Sequence, residues 1–144
     1  MNYYQLVATS ALIFQIVVLV LLIGGYWLKR MKKLRQHGIT MLTAVILHII
    51  TILAIMLPSF VLGVIPLILA NNSAVVTIVA SLHGIMGITA AVLGVWIVAS
   101  WRLRVSLRYC TPKRKLMLLT LILWVIALTL GILLYLHFYT TILP

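Results

Sequence analysis

The chain has 144 residues, 65% of them hydrophobic and only 8% charged, whereas soluble domains run to about half apolar and a quarter charged. Eleven Lys and Arg stand against no Asp and no Glu. The composition excludes a soluble domain, and the missing carboxylates exclude acidic proton relays, hard-cation cages and paired acid–base catalysts.

Four apolar segments, 6–28, 39–60, 75–100 and 116–138, each reach the roughly 20 residues that cross a ~30 Å hydrocarbon layer as a helix. They predict one all-α domain, a polytopic four-transmembrane-helix bundle with little mass outside the membrane. Helix 1 is followed by Lys29, Arg30, Lys32, Lys33 and Arg35. Charge behind a long apolar run, with none ahead of it, speaks against a cleavable signal peptide. On helix 2, His37 and His48 lie a net 20° apart at about 100° per residue. Met41, Ala44, Thr51, Ile55 and Ser59 share their face, and a small, polar face belongs inside a bundle. Pro58 and Pro66 bracket PSFVLGVIP, which predicts a helix end near Phe60 and a connection lying along or dipping into the interface. Helix 3 carries His83, Gly87, Ala90, Gly94, Val98 and Trp101 as one stripe. Pro112 marks a break before helix 4, whose stripe is Thr120, Trp124, Ala127, Gly131, Tyr135 and Phe138, with His137 about 100° away.

All the basic residues fall in the connections 29–38 and 101–115. Short basic loops stay cytoplasmic, so both termini are expected outside, in a multi-pass protein of the plasma membrane. Tyr3, Tyr4, Tyr26, Trp27, Trp101, Tyr135 and Tyr139 sit where interfacial aromatic belts are expected. The charge is accounted for by topology-setting loops facing anionic lipid, so nucleic acid is not an expected partner. Cys110 is the one cysteine, which leaves no disulfide framework.

No Ser-His-Asp arrangement, phosphate-binding glycine loop or zinc spacing is present, and a stand-alone enzyme is not expected. Any chemistry falls to the histidines. His48 and His83 are placed on facing interior helices, with glycine beside His83. That suits axial ligation of a haem iron, most simply b-type haem, with Thr51 or a backbone carbonyl holding a second ring nitrogen. Gly87, Ala90 and Gly94 on helix 3, with Trp124, Gly131 and Tyr135 on helix 4, would line the slot. His37, beside Gly38, and His137, near the outer interface, are the remaining candidate ligands, with loop-edge and snorkelling roles as their plainer readings. Two other readings stay open: another metal or a quinone headgroup, and a cofactor-free subunit whose histidines bond between helices. A stripe of small residues is more often a plain helix-packing face than a cofactor slot. So little extramembrane mass points to a larger membrane complex or a homo-oligomer.

The segments RQHGITMLTAVILH, SLHGIMGITAAVLGVWIVASWRLR and KRKLMLLTLILWVIALTLGILLYL resemble the domain-of-unknown-function-420 family of four-helix membrane proteins. The resemblance covers helices 2 to 4, about two thirds of the chain. It rests on His37 at the start of helix 2, the Ser/Leu-His that opens helix 3 with His83, and the series Thr120, Trp124, Gly131 and Tyr135. It implies an accessory role in respiration, because bacterial relatives of the CtaM type are assembly factors for haem–copper oxidases. The family pattern lacks a histidine at the position of His48, and it carries one before helix 4 where this chain has Lys or Arg. The expected function is therefore a haem-binding membrane protein serving electron transfer in, or assembly of, a respiratory complex.

Overall fold

Backbone amides in an apolar surround must find partners within their own segment, and the four apolar runs do so as helices. The computed structural model describes residues 3–69, 74–101 and 113–139. α1 spans Tyr3–Arg30, α2 opens with Leu34–Thr51, α3 spans Ala74–Trp101 and α4 spans Arg114–Tyr139. No strand occurs among the described residues, and four helices are long and apolar enough to cross a membrane. The protein is an all-α, polytopic four-helix bundle. Arg102, Arg104, Arg108, Cys110 and the expected break at Pro112 lie outside the described residues, as do positions 70–73.

The first basic connection is much tighter than the expected 29–38 loop. Lys32 adopts φ 60°, and the Lys32 and Lys33 amides donate to the Lys29 and Leu28 carbonyls, each at 3.0 Å. That pattern caps α1 with a left-handed residue, a place usually taken by glycine. His37 and Gly38 consequently lie inside α2 and are buried, where a loop edge was expected.

The expected helix end near Phe60 is corrected. Helical geometry continues beyond Thr51 through Ile52–Met56, Leu57–Ser59, Phe60–Val64 and Ile65–Leu69. Ile52–Met56 and Phe60–Val64 are π turns, in which Leu57 N–H donates to the Ile52 carbonyl and Ile65 N–H to the Phe60 carbonyl. A proline ring crowds the carbonyl four residues back and supplies no N–H. For Pro58 and Pro66 those carbonyls belong to Ala54 and Leu62, one in each π turn. The wider i→i−5 turn takes up both prolines without ending the helix. Leu34 to Leu69 then measures roughly 50 Å at about 1.5 Å per residue, longer than a ~30 Å hydrocarbon layer.

Contacts fix an up-down-up-down order. At the basic end Met41 packs on Gly25, the Trp101 ring lies over Gly38, and Lys29 reaches the Met117 sulfur. At the opposite end Thr9 meets Tyr135. The hairpins α1–α2 and α3–α4 pack most extensively. Between them lies a core layer with one buried residue from each helix: Val18, Ala44, Ala90 and Trp124. Ala44 and Ala90 leave the space that the Trp124 indole fills, which is how a bundle reaches interior packing density around one large ring.

The face of α2 expected to point inward does so as far as Thr51, since His37, Ala44, His48 and Thr51 are all buried. Trp124 and Ala127 are buried on α4. Two expectations fail. Phe138 is exposed, because the α4 stripe drifts off the core near its end, and Ser59 is exposed, because the first π turn carries the α2 face off the core. Trp101 is 6% exposed, its ring filling the gap at Gly38, in keeping with its place on the α3 stripe. Tyr26 and Trp27 stay on the outside.

Candidate functional site

Directly beside the Val18–Ala44–Ala90–Trp124 layer lies a polar one. Gln15 sits one turn before Val18 on α1, and His48 one turn after Ala44 on α2. Their side chains are only 5% and 7% exposed. The Gln15 amide Nε2 lies 3.1 Å from His48 Nδ1, and the Trp124 indole N–H donates to the same nitrogen at 3.4 Å. The His48 and Trp124 rings meet edge to face, with centroids 6.0 Å apart. One imidazole therefore joins α1, α2 and α4.

An indole N–H can only donate, so His48 Nδ1 must present its lone pair. In the neutral ring the proton then sits on Nε2. His48 Nε2 is buried without a hydrogen-bond partner, and the Gly87 carbonyl on α3 lies near the ring.

His83 has the opposite arrangement. Its Nδ1 lies 2.8 Å from the Ala127 carbonyl oxygen, which can only accept, so Nδ1 carries the proton and Nε2 the lone pair. The ring rests on Gly131, where an added Cβ would stand 2.9 Å from His83 Cε1. His37 follows the same rule, its Nδ1 donating to the Gly25 carbonyl at 2.7 Å. Its ring lies 6.2 Å from that of Trp101. His137 is exposed and packs against its neighbour Phe138.

The expected slot is largely filled by the chain itself. His83 occupies the space at Gly131, and Val45 Cγ2 would be 3.3 Å from a Cβ at Gly94. Ala90 is in the core layer. Only at Gly87, among the expected lining glycines, would a Cβ meet nothing within 4 Å. Thr51 donates its hydroxyl proton to the Leu47 carbonyl at 2.8 Å and accepts from neither ring, since His48 Nε2 has no hydrogen-bond partner and the His83 N–H goes to Ala127. Tyr135 lies away from the histidines. Thr9 donates its hydroxyl proton to the Gln5 carbonyl at 2.7 Å and accepts from the Tyr135 hydroxyl at 2.9 Å.

The donor set separates the histidines by fitness for a haem iron. An axial imidazole donates one N–H to a fixed acceptor and ligates through the other nitrogen. His83 has that arrangement. His48 has its reverse, with donors converging on Nδ1 and a proton on Nε2, so iron between these two rings does not fit the hydrogen bonds present. No group of three or more potential metal-ligating side chains occurs among the described residues.

Gln15 was not singled out from the sequence, although it is the one amide in the apolar run 6–28. Its isolation among Leu, Ile and Val is the signal that drew attention to His48.

The fold and these contacts define a class: a four-span membrane bundle whose interior polar contacts between helices centre on histidines. No family model, curated protein or solved structure matches the chain.

Proposed function

We propose that the protein is a small accessory subunit of a membrane complex, with its interior histidines acting as cross-helix ties. The convergence of Gln15 and Trp124 on His48 Nδ1 carries this reading. Apolar side chains alone hold helices together weakly in lipid, because lipid tails compete for the same contacts. A bundle with no acidic residue lacks interior ion pairs as well. Three histidine contacts, from α2 to α1, from α2 to α1 and α4, and from α3 to α4, supply directional bonds in their place.

The resemblance of helices 2 to 4 to the domain-of-unknown-function-420 family supports a respiratory setting, in electron transfer or in assembly of a haem–copper oxidase. The basic connections support a plasma-membrane protein with both termini outside. Exposed Leu, Ile, Val, Trp and Phe along all four helices support association with other subunits or a second copy as well as with lipid. The test is affinity purification from native membranes in mild detergent. Stoichiometric recovery of terminal-oxidase subunits supports the reading, and recovery of the chain alone, from membranes in which those subunits remain intact, refutes it.

A second reading, b-type haem, is favoured by the lone pair at His83 Nε2 set against the Nδ1–Ala127 bond. When bound, haem would supply one-electron chemistry, and this chain would orient His83 through Ala127 and Gly131. His48 would need a different set of partners to act as the second ligand. A quinone headgroup is the remaining alternative, with His48 Nε2–H as its donor.

A further inference from the structure

A groove of about 440 Å³ opens sideways between α2 and α3, within the ~300–1,000 Å³ range of small-molecule sites. Its walls are Ile49, Ile52 and Leu53 on α2, with Ile88, Ala91, Val92, Val95, Trp96 and Ala99 on α3, and they expose no polar surface. From Ile88 to Ala99 the wall extends about 16 Å at ~1.5 Å per residue. Half of a ~30 Å hydrocarbon layer is about 15 Å, the depth of a single leaflet. Trp101 against Gly38 and Val45 against Gly94 set α2 and α3 antiparallel, so Ile49, Ile52 and Leu53 lie at mid-membrane, where both helices wall the groove, and the α3 wall continues from there to the basic end of the bundle. At that end Ser100, next to Ala99, receives a hydrogen bond from Lys113 Nζ, which places an ammonium group at the groove's mouth. Exposed Trp96 stands one helical turn below Ser100. No acidic side chain anywhere in the chain competes for Lys113.

We propose that this groove holds one acyl chain of an anionic phospholipid, with the lipid phosphate at Lys113. Wholly apolar walls, an α3 wall as long as one leaflet is deep, and a cation at its basic end together match a phospholipid whose chain end reaches the mid-membrane pocket between α2 and α3. A partner helix would find no polar group along the walls to fix its register, whereas an acyl chain needs none.

The purified full chain in mild detergent is titrated with phosphatidylglycerol and with phosphatidylcholine of identical chains, and bound lipids are counted by native mass spectrometry. One phosphatidylglycerol is expected to bind at least fivefold more tightly than phosphatidylcholine. Lys113→Gln should reduce that preference about fivefold, the factor for one Lys at an anionic surface, and leave chain binding in place. Ala91→Trp fills the groove and should abolish binding of both lipids. Circular dichroism separates that outcome from unfolding. If Ala91→Trp unfolds the chain, Val92→Trp, at a 62% exposed position on the same wall, replaces it. Equal affinity for the two lipids, or undiminished binding in the folded groove-filling variant, overturns the proposal. So does a partner subunit cross-linking through a photoreactive residue at Trp96 in native membranes while lipid does not.

Discussion

Replacing Gln15 with Met keeps the length of the side chain and removes the amide, so it strips His48 Nδ1 of its nearer partner, now at 3.1 Å. The Trp124 N–H at 3.4 Å remains, a long bond that satisfies the nitrogen only in part. Interhelical hydrogen bonds within membranes average about 0.6 kcal/mol, reaching ~1.7. Stranding a buried polar atom costs about 1–3 kcal/mol, and both residues here are more than nine-tenths buried. Gln15→Met should therefore lower stability by about 1–2 kcal/mol. His48→Leu should cost a similar amount, because it strands the Gln15 amide and the Trp124 N–H together. The double variant removes both ends of the Gln15–His48 bond and leaves only the Trp124 N–H without its partner, so its cost is close to that of His48→Leu alone or below it. It should be more stable than the sum of the singles implies, with a coupling of about 0.5–1.5 kcal/mol. Reversible unfolding in mixed micelles, followed by helical circular dichroism, supplies the three differences. Additivity to within about 0.3 kcal/mol would refute the contact and with it the role assigned to His48.

Nitrogen-detected NMR of histidine-labelled protein should find His48 protonated at Nε2, and His37 and His83 at Nδ1; a reversed His48 would mean that Trp124 does not donate to it. Gly131→Ala should destabilise by about 1–3 kcal/mol, because its Cβ meets a His83 ring anchored on Ala127, whereas Gly87→Ala should be neutral or stabilising by up to ~1 kcal/mol. Thermal midpoints in one detergent rank the pair, and an equal loss in both would contradict the packing described. Lys32→Gly should stabilise by about 0.5–1 kcal/mol, since φ 60° suits glycine better than lysine, and chemical unfolding of the full chain measures it.

Much of this structure was legible in the sequence, because in lipid the two signals that matter are length of apolar run and position of charge. The inward face of α2 followed from the 20° between His37 and His48, and the α3 and α4 stripes followed from the same periodicity. What the sequence did not carry was which stripe meets which. Periodicity places a residue on a face, but Trp124 reaches His48 and His83 reaches Ala127 through helix rotations that only the packed bundle sets. Pairing His48 with His83 followed from both facing inward, and the two rings do lie near enough to interact electrostatically. Which helix supplies each ring's hydrogen-bond partner was not legible, because an inward-facing residue has three neighbouring helices to choose from. Pro58 and Pro66 misled in a different way. Proline signals a lost N–H and a crowded carbonyl, and π turns answer both without breaking the helix. Trp101 was read both as the end of the α3 stripe and, by residue type, as an interfacial anchor, and the gap at Gly38 decided for the first.

The role of the histidines is tested most directly by the dithionite-reduced minus oxidised absorption spectrum of protein purified from haem-replete cells. Histidines held as cross-helix ties predict a folded preparation without a stoichiometric reduced α-band, in the native chain and in His83→Ala alike. A sharp α-band at near one haem per chain, lost in both His48→Ala and His83→Ala and kept in His137→Ala, would contradict it.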